Sequence, residues 1–95
     1  MIKSLYLKNF ALFDEINIDF ENGLNIITGE TGSGKSLLLK SLKYLGGERF
    51  SKDFIRQGEN RCVLEVEFEV LEKTTTIRRV FHLDGKSRSF LNDEP

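Results

Sequence analysis

The chain has 95 residues, a formal net charge of −1, one cysteine and 39% hydrophobic residues. That length allows at most one small domain, which buries only about 60% of its unfolded surface. The single cysteine, Cys62, excludes an internal disulfide, and the near-zero charge excludes global attraction to nucleic acid or anionic membrane.

In chain order, residues 2–10 alternate Ile2, Ser4, Tyr6 and Lys8 against Lys3, Leu5 and Leu7, the period of a half-buried strand. This pattern begins at Met1 with no apolar leader, and no apolar run approaches the roughly 20 residues that cross a bilayer. A cytoplasmic location is therefore expected. Ile16, Ile18 and Phe20 give a second strand, and Asn22-Gly23 reads as a tight turn into a third at 24–28. A helix pattern follows over 36–45, with Leu38, Ser41, Leu42 and Leu45 on one face and Gly46-Gly47 as its stop. Residues 48–61 are irregular and charged, with one helical turn predicted at 51–55. Leu64, Val66, Phe68 and Val70 then alternate with Glu65, Glu67 and Glu69. A strand is predicted at 76–83, and the turn signal Asp84-Gly85 leads into another at 87–91. The expected organisation is one partial domain over 1–95: strands, loop and helix in 1–47, a connecting loop in 48–61, and an antiparallel meander in 62–95. Cys62, at the start of an apolar strand, reads as a small buried hydrophobe.

The chemistry sits between the third strand and the helix. Gly29-Glu30-Thr31-Gly32-Ser33-Gly34-Lys35-Ser36 reads G-x-x-x-x-G-K-S, the phosphate-cradling P-loop. Its four fixed positions recur by chance at roughly 1 in 30,000 positions, so a chain of this size is not expected to carry one by accident. Glycines let the backbone approach a polyphosphate closely, and successive N–H groups together with the helix N-terminus favour the anion. Lys35 is expected to reach the β- and γ-phosphates, Ser36 to ligate Mg²⁺, and Leu37 to add a backbone N–H. ATP and Mg²⁺ are the implied ligands, and the fold class is α/β, of the P-loop NTPase kind. A glycine-rich strand-to-helix turn with no ligand is the bland alternative.

Lys8-Asn9-Phe10-Ala11-Leu12, Gly23-Leu24-Asn25 and the motif running from Thr28 to Ser36 resemble the N-terminal head segment of the RecN family. The Glu30-Thr31 pair inside the P-loop is more telling than the P-loop itself. Leu45-Gly46-Gly47, the segment Ile55-Arg56-Gln57-Gly58-Glu59 and the segment Gly85-Lys86-Ser87-Arg88-Ser89-Phe90-Leu91-Asn92 extend the resemblance over nearly the whole chain. Lys40 departs from it, because the family tends to carry an acid there. The resemblance implies the N-terminal lobe of an ABC/SMC-type ATPase head with an antiparallel β-subdomain. It also implies ATP held between two heads, DNA as a partner of the whole protein, and action in recombinational repair of double-strand breaks. Lys8, Asn9 and Phe10 would then lie near the ribose and base, or form a solvated strand end.

Hydrolysis needs a Walker B strand, about four apolar residues ending in acids. The one superficial candidate, Phe90-Leu91-Asn92-Asp93-Glu94, has an apolar run of two and follows a hairpin, so it is set aside. With the signature motif also missing, the chain is expected to be a fragment, inactive by itself. Arg56 and Arg61 could serve DNA or an opposing head, or be ordinary surface arginines. Arg78, Arg79, Lys86 and Arg88 form a basic cluster around the last hairpin, partly offset by the glutamate row. His82 has no carboxylate, cysteine or second histidine at triad or ligand spacing. Two other functions compete: a P-loop kinase or small-molecule ATPase unrelated to DNA, and a non-catalytic nucleotide-binding remnant. The kinase reading predicts parallel strands soon after the helix, whereas the head predicts an antiparallel β-subdomain.

Overall fold

The computed structural model describes residues 1–20 and 32–94. Among them are β1 (Ile2–Phe10), β2 (Phe13–Asp19), α1 (Gly32–Leu45), β3 (Arg61–Val70), β4 (Lys73–His82) and β5 (Ser87–Leu91). A single 3-10 turn, Lys52–Phe54, lies within the stretch where one helical turn is expected, capped by the Ser51 hydroxyl accepting from Asp53 N–H. The expected turn at Asn22-Gly23, the strand at 24–28 and Gly29, Glu30 and Thr31 lie outside the described residues.

The strands form one antiparallel sheet in the order β2-β1-β3-β4-β5. Successive side chains of a strand point to opposite faces, so register decides what is buried. Leu5 stands between Ile18 and Val66, and Leu7 between Ile16 and Leu64. Leu5, Leu7, Ile18, Cys62, Leu64, Val66 and Phe81 form the inner face. The period breaks at Asn9, whose left-handed backbone (φ 56°) lets Phe10 join that face, fully buried. Asparagine is among the few residues that visit this region routinely. Ala11 (φ 53°) then opens the two-residue turn into β2, which starts at Phe13, ahead of its first expected apolar position.

α1 lies over the inner face through Leu38, Ser41, Tyr44 and Leu45. Expectation had Leu42 in place of Tyr44, and Leu42 is only half-buried. The helix rolls toward Tyr44 because the aromatic segment after it folds over that side. Phe50 and Phe54 meet the Tyr44 ring at centroid distances of 4.8 and 5.5 Å, and Phe50 stacks on Phe81 at 3.9 Å. The expected glycine stop is a Schellman motif: Glu48 N–H donates to the Lys43 carbonyl and Gly47 N–H to that of Tyr44. Gly47 takes φ 112°, where a side chain is strained.

β4 begins at Lys73, three residues before its expected start. A two-residue turn, Leu71-Glu72, both left-handed (φ 53° and 64°), brings Thr74 and Thr75 into the ladder opposite Glu69 and Phe68. The Asp84-Gly85 hairpin is as expected, with Gly85 at φ 95° and Asp84 Oδ1 accepting from Lys86 N–H at 2.9 Å. After β5 the left-handed pair Asn92-Asp93 reverses the chain, so that Leu91 and Glu94 exchange two backbone hydrogen bonds.

Candidate nucleotide-binding site

α1 begins at Gly32, inside the glycine-rich motif, so Lys35 and Ser36 occupy its first turns. Both are exposed, while the side chain of Leu37 packs against the core and anchors the helix. The first N–H groups of a helix have no intrahelical acceptor and carry its positive end. No acidic residue stands in the first turn of α1 to oppose an anion there. A helix end of this kind, an exposed ammonium and an exposed hydroxyl are the donor set that a magnesium-bound polyphosphate requires, and the residues present fit it.

Beside this end lies an open depression lined by Ser36, Leu37, Lys40 and Phe54. The irregular segment 48–61 offers no periodicity from which Phe54 could be read as its wall. Lys40, the departure from the resemblance, is tied down locally. Its Nζ donates to Glu48 Oε2 at 2.6 Å and lies 5.1 Å from the Tyr44 ring centre and 6.0 Å from that of Phe54. That hydrogen bond raises the Lys40 pKa and lowers that of Glu48.

Phe54 also joins the depression to the end of β1. Its ring stacks on Phe10 at 5.6 Å, and its carbonyl accepts from Ala11 N–H at 2.7 Å. Arg56 N–H donates to the Asn9 carbonyl at 2.8 Å, and Asn9 Nδ2 reaches Glu59 Oε1 at 3.4 Å. Lys8 is exposed and Asn9 half-buried, whereas Phe10 is fully buried. Phe10 is therefore a core residue with no face left for a base. Phe54 thus lines the depression beside Ser36 and also holds Phe10 and Ala11 at the end of β1, which sequence spacing alone does not reveal.

The basic cluster read from the last hairpin divides between two faces. Arg79 turns inward, donating through Nη1 to the Tyr44 carbonyl at 2.8 Å and through Nε to Ser89 Oγ at 3.0 Å, with its guanidinium 4.8 Å from the Phe81 ring. Arg78 faces outward over Phe90 at 4.6 Å, with Glu65 at 3.9 Å and Asp93 at 3.4 Å. Lys86 and Arg88 remain exposed, joined by Arg61, whose β3 position is paired with His82. Burial pushes the Cys62 thiol up to about 12, so it behaves as the expected hydrophobe. Among the described residues no group of three or more His, Cys, Asp or Glu could hold a metal ion, and no helix is long and apolar enough to cross a membrane.

The antiparallel sheet with one helix laid on it and a phosphate-loop motif at that helix's start define the fold of part of an SMC-type head. The chain belongs to the AAA domain family, which residues 4–94 match, and is an SMC-like head segment of the RecN type. It is 45% identical to the DNA repair protein RecN of Bacillus subtilis (strain 168) over 65 residues, 68% of this chain and 11% of that protein. It is 35% identical to the DNA repair protein RecN of Rickettsia bellii (strain RML369-C) over 109 residues, 99% of this chain and 20% of that protein. The chain thus spans no more than a fifth of the length of either relative. Among solved structures, an SMC ATPase studied for ATP-driven dimerization and DNA-stimulated activation superposes with a TM-score of 0.77 at 28% identity. The match covers 98% of this chain and 70% of that one.

Proposed function

We propose that this chain is the nucleotide-binding segment of a RecN-type DNA repair protein, acting on DNA in the cytoplasm. The observation that carries it is the G-x-x-x-x-G-K-S motif running into α1, where Lys35 and Ser36 are exposed, in a chain matched by DNA repair relatives. Backbone N–H groups of Gly29, Glu30, Thr31, Gly32, Ser33, Gly34 and Leu37 cradle the phosphates, and Lys35 neutralises the charge of the terminal ones. Ser36 would offer its hydroxyl to Mg²⁺, which when bound would offset the charge of the phosphates. Lys8 and Asn9 border the nucleoside end. ATP held in this way brings two heads together, as the SMC neighbour's ATP-driven dimerization suggests. The meander β3-β4-β5 is the antiparallel subdomain that distinguishes such a head from a P-loop kinase.

Titration calorimetry with Mg·ATP tests the site. Lys35→Ala and Ser36→Ala are each expected to weaken binding by roughly 10- to 100-fold, the loss of one contact to a charged group. Removing Mg²⁺ should bring the parent chain to the level of Ser36→Ala. An unchanged affinity in Lys35→Ala would overturn the assignment.

A further inference from the structure

We infer that Lys40 is a positioning residue of the nucleotide site: paired with Glu48, it clamps the aromatic segment after α1 so that Phe54 walls the space taken by the nucleoside. The inference rests on the nucleotide reading above. Lys40 stands one turn beyond Ser36 on the same side of α1, about 6 Å further from the helix start. Among the described residues these two, with Leu37 and Phe54, line the depression beside that start. The motif and the helix end take the phosphates, so the part of the ligand that reaches a hollow one turn further on is the nucleoside. The walls suit it, because Leu37 and Phe54 offer apolar surface and the Lys40 ammonium is already committed to Glu48.

Lys40 touches both ends of that segment. At its start Nζ donates to Glu48 Oε2 at 2.6 Å, and at its end Nζ lies 6.0 Å from the centre of the Phe54 ring. It also lies 5.1 Å from the Tyr44 ring, against which Phe50 and Phe54 both pack. Phe54 stacks on Phe10 and its carbonyl accepts from Ala11 N–H, so displacing this wall disturbs the end of β1 as well. The hydrogen bond raises the Lys40 pKa and lowers that of Glu48, which keeps both charged at neutral pH. The two side chains are 35% and 41% exposed, so salt screens the clamp and its effect is that of a surface ion pair. An acid at position 40, as the resemblance leads one to expect, would repel Glu48, so the clamp depends on this departure.

Calorimetric titrations of the chain with Mg·ATP and with Mg·tripolyphosphate, which has no nucleoside, test the inference. Lys40→Met keeps the apolar stem and removes the cation, and Glu48→Gln keeps the shape and removes the anion. Each is expected to weaken ATP binding by about 3- to 5-fold, the scale of an exposed ion pair, and to leave tripolyphosphate binding unchanged. Lys40→Glu, which sets like charges together, should weaken ATP binding further, and Lys40→Glu combined with Glu48→Lys should restore it. At about 1 M salt, where the Debye length is about 3 Å, the difference between the parent and the single variants should vanish. Tighter ATP binding by Glu48→Gln, the result expected if Lys40 acted only as a charge on the phosphates, overturns the inference. So do equal losses for ATP and tripolyphosphate. So does unchanged ATP affinity in Lys40→Met with a lowered urea midpoint, which would mark the pair as purely structural. Tripolyphosphate binding by the parent, lost in Lys35→Ala, reads the phosphate loop separately, so failure of the nucleotide assignment and failure of the clamp give different results.

Discussion

Tyr6 sits on the outer sheet face with its hydroxyl donating to Glu15 Oε2 at 2.6 Å. That hydrogen bond, with burial and the charges of Glu15 and Glu65, lifts its pKa to about 12 from the ordinary value near 10. The folded state therefore favours the protonated phenol. Its contribution to stability is complete below about pH 10 and is lost as pH rises toward about 12. In an alkaline absorbance titration, the Tyr6 signal, isolated by subtracting a Tyr6→Phe variant, is expected to appear near pH 12. Glu15→Ala should return it toward pH 10, and a midpoint that stays put would show that the carboxylate is not the cause. At this scale the P-loop motif is legible without coordinates, because it is a matter of residue spacing. The roles of Arg79 and Phe10 are not, because nothing local to either residue says which face it joins.

Among the elements, the strands and α1 follow from hydrophobic period, and their ends are where the reading slips. The β3–β4 turn is the plainest case. Leu71 and Glu72 are poor residues for a turn that needs positive φ at both positions, so no turn signal marks it. The turn forms because the paired strands on either side impose it: ten residue pairs from Arg61–His82 to Val70–Lys73 leave the two between no other path. Leu71 is 94% exposed, so its replacement removes nothing from the core. Leu71→Asn with Glu72→Gly is expected to relieve strain and stabilise the chain by about 1–2 kcal/mol. A higher urea midpoint at unchanged m-value would show this, and a lower midpoint would mean that the turn is not strained. Tyr44 replaces Leu42 on the inner helix face for a similar reason, since the rings of Phe50 and Phe54 arrive from outside the helix's own periodicity.

In the whole molecule, the helix is held to the sheet by the aromatic cluster and by Arg79, which reaches from β4 to a carbonyl in the last turn of α1. A cation there adds a second donor to a carbonyl that Gly47 N–H also reaches, and it answers the negative end of the helix. Arg79→Leu should cost about 1.5–3 kcal/mol, read as a lower urea midpoint, and an unchanged midpoint would show the contact to be incidental. The same strand packing separates charge on the outer face, drawing Arg61, Lys86 and Arg88 away from the glutamates. Chain order alone was enough for the phosphate-loop motif, the strand and helix periods and the glycine-marked turns at Gly46-Gly47 and Asp84-Gly85, because each depends on neighbours within a few residues. Strand register and helix roll were needed to bury Phe10 and Tyr44, to turn Arg79 inward and to join Arg61 with Lys86 and Arg88. Those outcomes depend on contacts between residues far apart in the chain, where local pattern has no reach.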